Sequence, residues 1–279
     1  GRRLVTRILG VHGVGNHDPH RSAAEAAERL TATWRRHLTA GGAGVRPDDV
    51  RVAYWAHHLH RRRRQGPETD PLGLSSAELD VLAALVAEVD ATAVRQGRLT
   101  LPLRQAIALL AARGGVAVPV MSAFVAVFCR EVHAYLGHPG APGRASARDS
   151  VAESIIEHRP RVVIAHSLGS VIAYEALWSR PGPDVDLLVT LGSPLGLPSV
   201  VFERLCPAPR DGLGQRPPRV RRWVNLADPG DIVAIPRWLA TKFAGVDTDG
   251  EASIHSVDFH RVASYLRLPD VARAIDELG

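Results

Sequence analysis

Short, largely apolar segments recur along this chain, and several are followed by a glycine-containing turn. They cover residues 4–11, 161–165, 185–191 and 220–226, with a fifth, alternating segment at 50–55. Strands that are apolar on both faces are typical of a parallel sheet covered by helices on both sides. The sequence therefore predicts an α/β fold with a mostly parallel sheet.

The segment 57–143 interrupts this alternation. It contains four consecutive arginines at 61–64, then several helical patterns with capping residues or an initial proline, and it ends in a glycine- and proline-rich loop. We expect residues 1–56 and 144–279 to form the core and 57–143 to form a helical insertion. The length of 279 residues suits one large α/β domain with such an insertion, or two domains.

Composition narrows the class of protein. Apolar residues make up 46% and charged residues 23%, which excludes an intrinsically disordered chain. Two cysteines without zinc-binding spacing argue against a disulfide scaffold or a zinc module. The apolar stretch 114–129, which contains no charged residue, is too short for a membrane helix, and no apolar leader region is visible. We expect a soluble, cytoplasmic protein, with a net charge of +5 that says nothing about its fold.

Residues 165–169, Ala-His-Ser-Leu-Gly, join a predicted buried strand directly to a predicted helix. A nucleophilic serine on such a turn needs small residues two positions before and after it, because the backbone approaches its neighbours closely there. Ala165 and Gly169 meet that need around Ser167. The same turn places the Leu168 amide at the positive end of a helix dipole, where an anion is favoured.

The loop after the first strand gives a second signal, His12-Gly13-Val14-Gly15. Acyl transfer needs two amide donors aimed at the oxygen that becomes negative, and we expect the Val14 N–H to act together with the Leu168 N–H. A dinucleotide-binding loop is the alternative interpretation. It is disfavoured because the glycine spacing is not GxGxxG and no clean strand-end acid follows about 20 residues later.

Together these motifs resemble those of the α/β-hydrolase superfamily, most closely its lipase- and esterase-like serine hydrolases. The matching sequences are VHGVGN at 11–16, AHSLGS at 165–170, TLGSPLG at 190–196 and a late D-x-V followed by a histidine. The resemblance extends in order over the two parts of the expected core. It implies an α/β-hydrolase fold, a helical cap or lid over 57–143, and a catalytic triad in the chain order nucleophile, acid, histidine.

Two aspartates and two histidines compete for the remaining triad positions. Asp231 begins a D-x-V sequence that resembles the family's acid loop, whereas Asp228 precedes a proline and suits a turn. His260 lies just before a helical pattern that resembles the family's closing segment, and His255 is the alternative. We favour Asp231 and His260.

These residues predict a serine hydrolase that cleaves a carboxylic ester of a small-molecule or lipid-like substrate. Ser167 would attack the carbonyl, His260 would accept its proton, and Asp231 would orient the imidazole. No metal or organic cofactor is expected. An acyltransferase or amidase with the same triad is one alternative, and a hydrolase-like binding module without turnover is another.

Other polar and apolar clusters receive structural interpretations. His57, His58 and His60 have no acidic or cysteine partner nearby in the sequence, so no metal site is predicted there. The arginines at 61–64 are interpreted as a solvated loop, and few aromatic residues accompany them, so no nucleic-acid partner is expected. The apolar segment 116–129 is interpreted as a cap helix packed on the core, with peripheral lipid contact as the alternative.

Overall fold

The computed structural model describes residues 6–60, 67–254 and 260–279. The strands in these ranges are β1 (Ile8–Val11), β2 (Val50–Ala53), β3 (Val94–Arg95), β4 (Arg98–Leu99), β5 (Val162–His166), β6 (Val185–Leu191), β7 (Gly214–Gln215), β8 (Val220–Ala227), β9 (Phe243–Ala244) and β10 (Thr248–Glu251). The α-helices are α1 (Ala23–Ala40), α2 (Ala56–Leu59), α3 (Ser76–Val89), α4 (Leu103–Gly114), α5 (Val118–Leu136), α6 (Pro142–His158), α7 (Leu168–Ser179), α8 (Val262–Leu266) and α9 (Pro269–Asp276).

Six strands form the central sheet in the order β10-β8-β6-β5-β1-β2, and all neighbours in it are parallel. The prediction of an α/β protein with a mostly parallel sheet is confirmed. The chain leaves β1 toward β2 at one edge and later returns to place β5 on the other side of β1. The crevice at the carboxyl ends of β1 and β5 is therefore a topological switch point, where open α/β sheets usually bind ligands.

Helices cover both faces of the sheet because its strands are apolar on both sides. In β5, Val162 and Ile164 belong to one buried cluster and Val163 and Ala165 to the other. This alternation follows from the two-residue period of a strand. Helices α1, α8 and α9 contribute to the cluster around Val162, whereas α3 to α7 contribute most of the helical part of the other.

Local signals place several helix starts where the sequence predicts them. Ser22 and Glu25 form a capping box at α1, and Ser75 and Glu78 form a second one at α3. Helix α6 begins at Pro142, inside the expected loop, because proline is tolerated at a first helical position that needs no N–H donor.

Helix α2 crosses the first boundary of the expected insertion and α3 to α5 lie within it, and all four pack into the same hydrophobic cluster as α6 and α7. Buried polar contacts join them to the sheet-covering helices: the Tyr135 hydroxyl of α5 donates to Glu175 of α7 (2.6 Å), which also pairs with Arg144 of α6. Within the described ranges no single helix has the length and apolar composition to cross a membrane. Helices α4 and α5 meet that test only as a pair, which is bent by 107°.

Candidate active site

Ser167 occupies a strained turn between β5 and α7. Its backbone angles are φ 57° and ψ −135°, a region that L-residues with a side chain rarely adopt, at a cost of about 1–3 kcal/mol. Two contacts hold it there: the Ser167 N–H donates to the Leu191 carbonyl of β6 (3.1 Å), and the Ser167 carbonyl accepts from the Ser170 hydroxyl (2.6 Å). The conformation is therefore fixed by the neighbouring strand and helix.

The serine side chain is enclosed. Ser167 has no exposed surface, and its Oγ makes no hydrogen bond to any part of the chain that the structure describes. A buried hydroxyl without a partner costs stability, so its presence asks for a functional explanation.

The loop after β1 lies against this turn. A Cβ added to Gly169 would overlap the His12 carbonyl oxygen, and one added to Gly13 would lie 2.7 Å from the Ser167 Cβ. The small residue expected two positions after Ser167 is thus required by close backbone contact. The same contact brings the His12–Gly15 loop beside Ser167, as the sequence predicts.

Asp231 and His260 form a buried pair at the same edge of the sheet. The His260 Nδ1 lies 2.8 Å from Asp231 Oδ2 and 3.0 Å from Oδ1, and both residues are at most 6% exposed. Asp231 also accepts hydrogen bonds from the Val233 N–H (3.0 Å) and the Tyr265 hydroxyl (2.7 Å). These four contacts fix the carboxylate and place the imidazole proton on Nδ1, which leaves Nε2 as the acceptor nitrogen of the ring.

Neighbouring residues bring this pair to Ser167. The His260 ring centroid lies 4.5 Å from that of His166, the residue before Ser167, and the His166 Nε2 lies 2.9 Å from the His260 carbonyl oxygen. Burial, with a further effect from His260, holds the pKa of His166 well below its usual range, so its ring is neutral and Nε2–H donates. Gly192, the residue after β6, lies so close to the pair that an added Cβ would stand 2.5 Å from Asp231 Oδ2, and it directly follows the Leu191 carbonyl that holds Ser167.

Asp228, the alternative acid, binds backbone amides and not the imidazole of His260. Its carboxylate accepts the Gly230 N–H (2.6 Å) and the Ile254 N–H (2.7 Å), so it stabilises the turn after β8 and contacts neither ring nitrogen of His260. The carboxylate bonded to His260 is that of Asp231. The alternative histidine, His255, and the arginines at 61–64 lie outside the described residues.

The backbone positions of the two predicted amide donors, Val14 and Leu168, suit the binding of a negative oxygen. Leu168 is the first residue of α7, so its N–H is one of the donors that a helix leaves without an internal acceptor. In the loop after β1, the Asn16 side chain donates to the carbonyls of Gly13 (3.0 Å) and Val14 (3.3 Å). A trans peptide directs N–H opposite to C=O, so the Val14 N–H points away from Asn16.

His12 stabilises this loop and takes no part in proton transfer. Burial lowers its pKa to about 4, so its ring is neutral near pH 7. The Nε2 accepts the Trp55 N–H (3.2 Å), and the Nδ1 lies 2.8 Å from the Gly13 carbonyl oxygen, to which it donates.

Several contacts at the site have no sequence signal. Phe124 of α5 places its ring edge-on to His260, with centroids 5.3 Å apart. Glu131, on the same helix, is buried and lies within 3.4 Å of the Gly15 N–H, which donates to it. Tyr265 and Phe124 are separated from their partners by more than 30 positions in the chain, so no local spacing could reveal these pairs.

The sequence close to His60 shows no acidic partner, but the fold brings two carboxylates to its ring. Its Nε2 lies 2.9 Å from Glu131 Oε1 and its Nδ1 lies 3.3 Å from Glu68 Oε1. Both acids follow His60 in the chain, and folding of the insertion brings them together with it. His57 and His58 pack beside each other with ring centroids 3.9 Å apart.

Comparisons with protein-family models, curated proteins and solved structures found no match, so the interpretation of this site rests on its residues and geometry.

Proposed function

We propose that this chain is a serine hydrolase that cleaves carboxylic esters through an acyl-enzyme on Ser167, with the α/β-hydrolase fold that its motifs resemble. The observation that supports it best is the buried Asp231–His260 pair beside a serine in a strained strand-to-helix turn. An ordinary structural serine needs neither an exceptional backbone conformation nor a hydroxyl left without a hydrogen bond.

The proposed reaction begins with proton transfer. His260 takes the Ser167 hydroxyl proton on Nε2 while Oγ attacks the ester carbonyl carbon, and Asp231 stabilises the imidazolium through its contacts to Nδ1. The carbonyl oxygen becomes negative and is bound by the Val14 and Leu168 amides. Each such donor lowers the barrier by about 3–4 kcal/mol in other hydrolases.

The cycle closes by returning the proton. His260 protonates the departing alkoxide, and the ester C–O bond breaks to leave the acyl group on Ser167. Water then attacks the acyl carbon, with His260 again as base, and releases the carboxylic acid and the free serine. Because Asp231 is buried and accepts hydrogen bonds from three donors, its charge acts on His260 with little screening by water.

We further propose that the insertion forms a cap over this site. Phe124 of α5 contacts the ring of His260, so an apolar side chain from the insertion lies beside the proposed base. Such a surface suits the hydrocarbon part of an ester.

A small fluorophosphonate probe tests the proposal directly, because it reacts only with an activated serine. We expect one adduct, mapped to Ser167 by peptide mass, and none in Ser167→Ala. Ser179→Ala, which removes a hydroxyl that donates to the Ala176 carbonyl of its own helix, is the matched control and keeps the label. Hydrolysis of aryl esters of increasing acyl length should fall by ~10⁴ or more in Ser167→Ala. A folded wild-type chain that leaves Ser167 unlabelled refutes the hydrolase.

A further inference from the structure

A second cluster of polar side chains lies outside the proposed triad, where the loop after β1 meets the end of α2. His17, His60 and Glu68 each offer one donor atom, and the three atoms lie within 4.8 Å of one another. The Nδ1 atoms of His60 and His17 are 3.3 Å and 4.0 Å from Glu68 Oε1. In tetrahedral zinc sites, bonds of 2.0–2.2 Å put neighbouring ligand atoms about 3.3 Å apart.

The hydrogen bonds of His60 leave one nitrogen facing a carboxylate. Its Nε2 lies 2.9 Å from Glu131 Oε1, and a neutral ring donates there because a carboxylate can only accept. The lone pair of Nδ1 then points toward Glu68 Oε1, so two acceptors oppose each other. Such a contact is stable only with a cation or a proton between them. A carboxylate behind a histidine is also the usual support of a metal-bound imidazole.

His17 supplies an independent observation. Its Nδ1 is buried and has no hydrogen-bond partner among the described residues, although it lies 4.0 Å from the Glu68 carboxylate. A buried nitrogen left without a hydrogen-bond partner destabilises the fold. The ring stacks on His60 with centroids 4.0 Å apart and planes 8° apart. An ion in the plane of His60 therefore requires the His17 ring to turn toward it about its side-chain bonds.

Glu68 is held in place and reachable from solvent. Arg130 of α5 donates to the carbonyls of Pro67 (3.4 Å), Glu68 and Asp70 (2.7 Å), which fixes the backbone on both sides of the carboxylate. The Glu68 side chain itself is 50% exposed, so an ion has an open route to it.

We propose that His17, His60 and Glu68 bind one divalent transition-metal ion, with Glu131 as the positioning residue behind His60. Two imidazoles and one carboxylate suit zinc or cobalt and are poor ligands for calcium or magnesium. Glu131 also accepts the Gly15 N–H, so the ion supports the loop that contains Val14. The proposal does not depend on the chemistry at Ser167.

Cobalt(II) is the probe of choice, because its visible absorption reports both binding and coordination geometry. The chain, without a histidine tag and stripped with a chelator, is titrated with Co²⁺ and then with Zn²⁺ as competitor. We expect one ion per chain, the intense bands of four- or five-coordinate cobalt, and loss of those bands on zinc addition.

Variants connect the signal to the site. His17→Gln, His60→Gln and Glu68→Gln should each weaken Co²⁺ binding at least tenfold, and Glu131→Gln should weaken it about 10- to 100-fold. His20→Gln, which removes an exposed histidine from the same loop, should bind like the wild type. Circular dichroism identifies any variant that fails to fold, and the wild-type titration needs no variant.

Absence of one-to-one Co²⁺ binding by the folded wild type overturns the proposal and leaves His60 as a protonated ring bridging two carboxylates. Equal binding by wild type and the Glu68→Gln and His17→Gln variants overturns it as well, because the ion would then lie elsewhere.

Discussion

Gly192 offers the sharpest test of the site's geometry. It lies at the end of β6 with φ +53°, and a Cβ added there would stand 2.5 Å from Asp231 Oδ2 and 3.1 Å from His260 Nδ1. The Gly192→Ala substitution therefore pushes one methyl group into the Asp231–His260 pair, without removing any polar group. We expect it to impair reaction at Ser167 far more than it destabilises the fold.

The expected magnitude has two parts. A left-handed alanine costs about 1–2 kcal/mol in folding free energy, wherever it is placed. In addition, the Asp231 carboxylate must move by about 1 Å to relieve the 2.5 Å contact, which lengthens its bonds to His260 and Tyr265. A displacement of that size costs ~10²-fold in rate, and complete loss of the aspartate's function costs ~10⁴-fold. We expect a loss between these limits.

The matched control is Gly97→Ala. Gly97 also has a positive φ, +75°, but a Cβ there meets no heavy atom within 4 Å. Rates of fluorophosphonate labelling and of aryl-ester hydrolysis are compared between the two variants, together with their melting temperatures. The reasoning is refuted when Gly192→Ala, folded, reacts within about threefold of Gly97→Ala. A wild type that is never labelled would instead refute the hydrolase proposal.

Three further predictions concern single residues. Asp231→Asn should lower the labelling rate by ~10⁴-fold, whereas Asp228→Asn should keep the rate and lose about 1–3 kcal/mol in urea unfolding, because Asp228 only holds backbone amides. Ser167→Gly should abolish labelling and raise the melting temperature, because glycine relieves the positive φ of 57°. Burial depresses the pKa of His12 from 6.5 to about 4. Between these two pH values His12 is therefore protonated in the unfolded chain and neutral in the folded chain, so acid favours unfolding. Between pH 7 and pH 5 the wild type should lose about 2 kcal/mol more unfolding free energy than His12→Gln.

The sequence predicts those strands of the sheet that are buried on both faces. It does not predict an edge strand without buried residues. A continuous apolar sequence, as in residues 161–165, indicates a buried strand, and the observed β5 (Val162–His166) matches that segment within one residue at each end. Strand β10, Thr-Asp-Gly-Glu, has no buried residue and joins the sheet at its edge through backbone pairing with β8 and a hydrogen bond from the Asn225 side chain to Asp249 (2.8 Å). Hydrophobic periodicity cannot detect a strand of that kind.

Local motifs predicted the positions of the site's main residues because parallel strands present their carboxyl ends at one edge. Ser167, Asp231 and the His12–Gly15 loop each follow such an end, so their convergence needs only the topology. The side chains that hold them do not obey this rule. Tyr265 reaches Asp231, and Glu131 reaches Gly15, from helices whose placement depends on the packing of the whole chain.

Helix α5 connects these distant contacts, and its anchoring bears on how a substrate could reach Ser167. One face, with residues spaced by seven and four, presents Phe124 to His260, Glu131 to the Gly15 amide and Tyr135 to Glu175. Moving the whole helix would break the buried hydrogen bond from Tyr135 to Glu175, and leaving such a group unsatisfied costs about 1–3 kcal/mol, a sizeable part of a typical stability of about 5–15 kcal/mol. Turning the Phe124 ring about its own side-chain bonds breaks no buried ion pair. Exposing the His260 ring on this side therefore costs less free energy through rotation of the Phe124 side chain than through displacement of the helix.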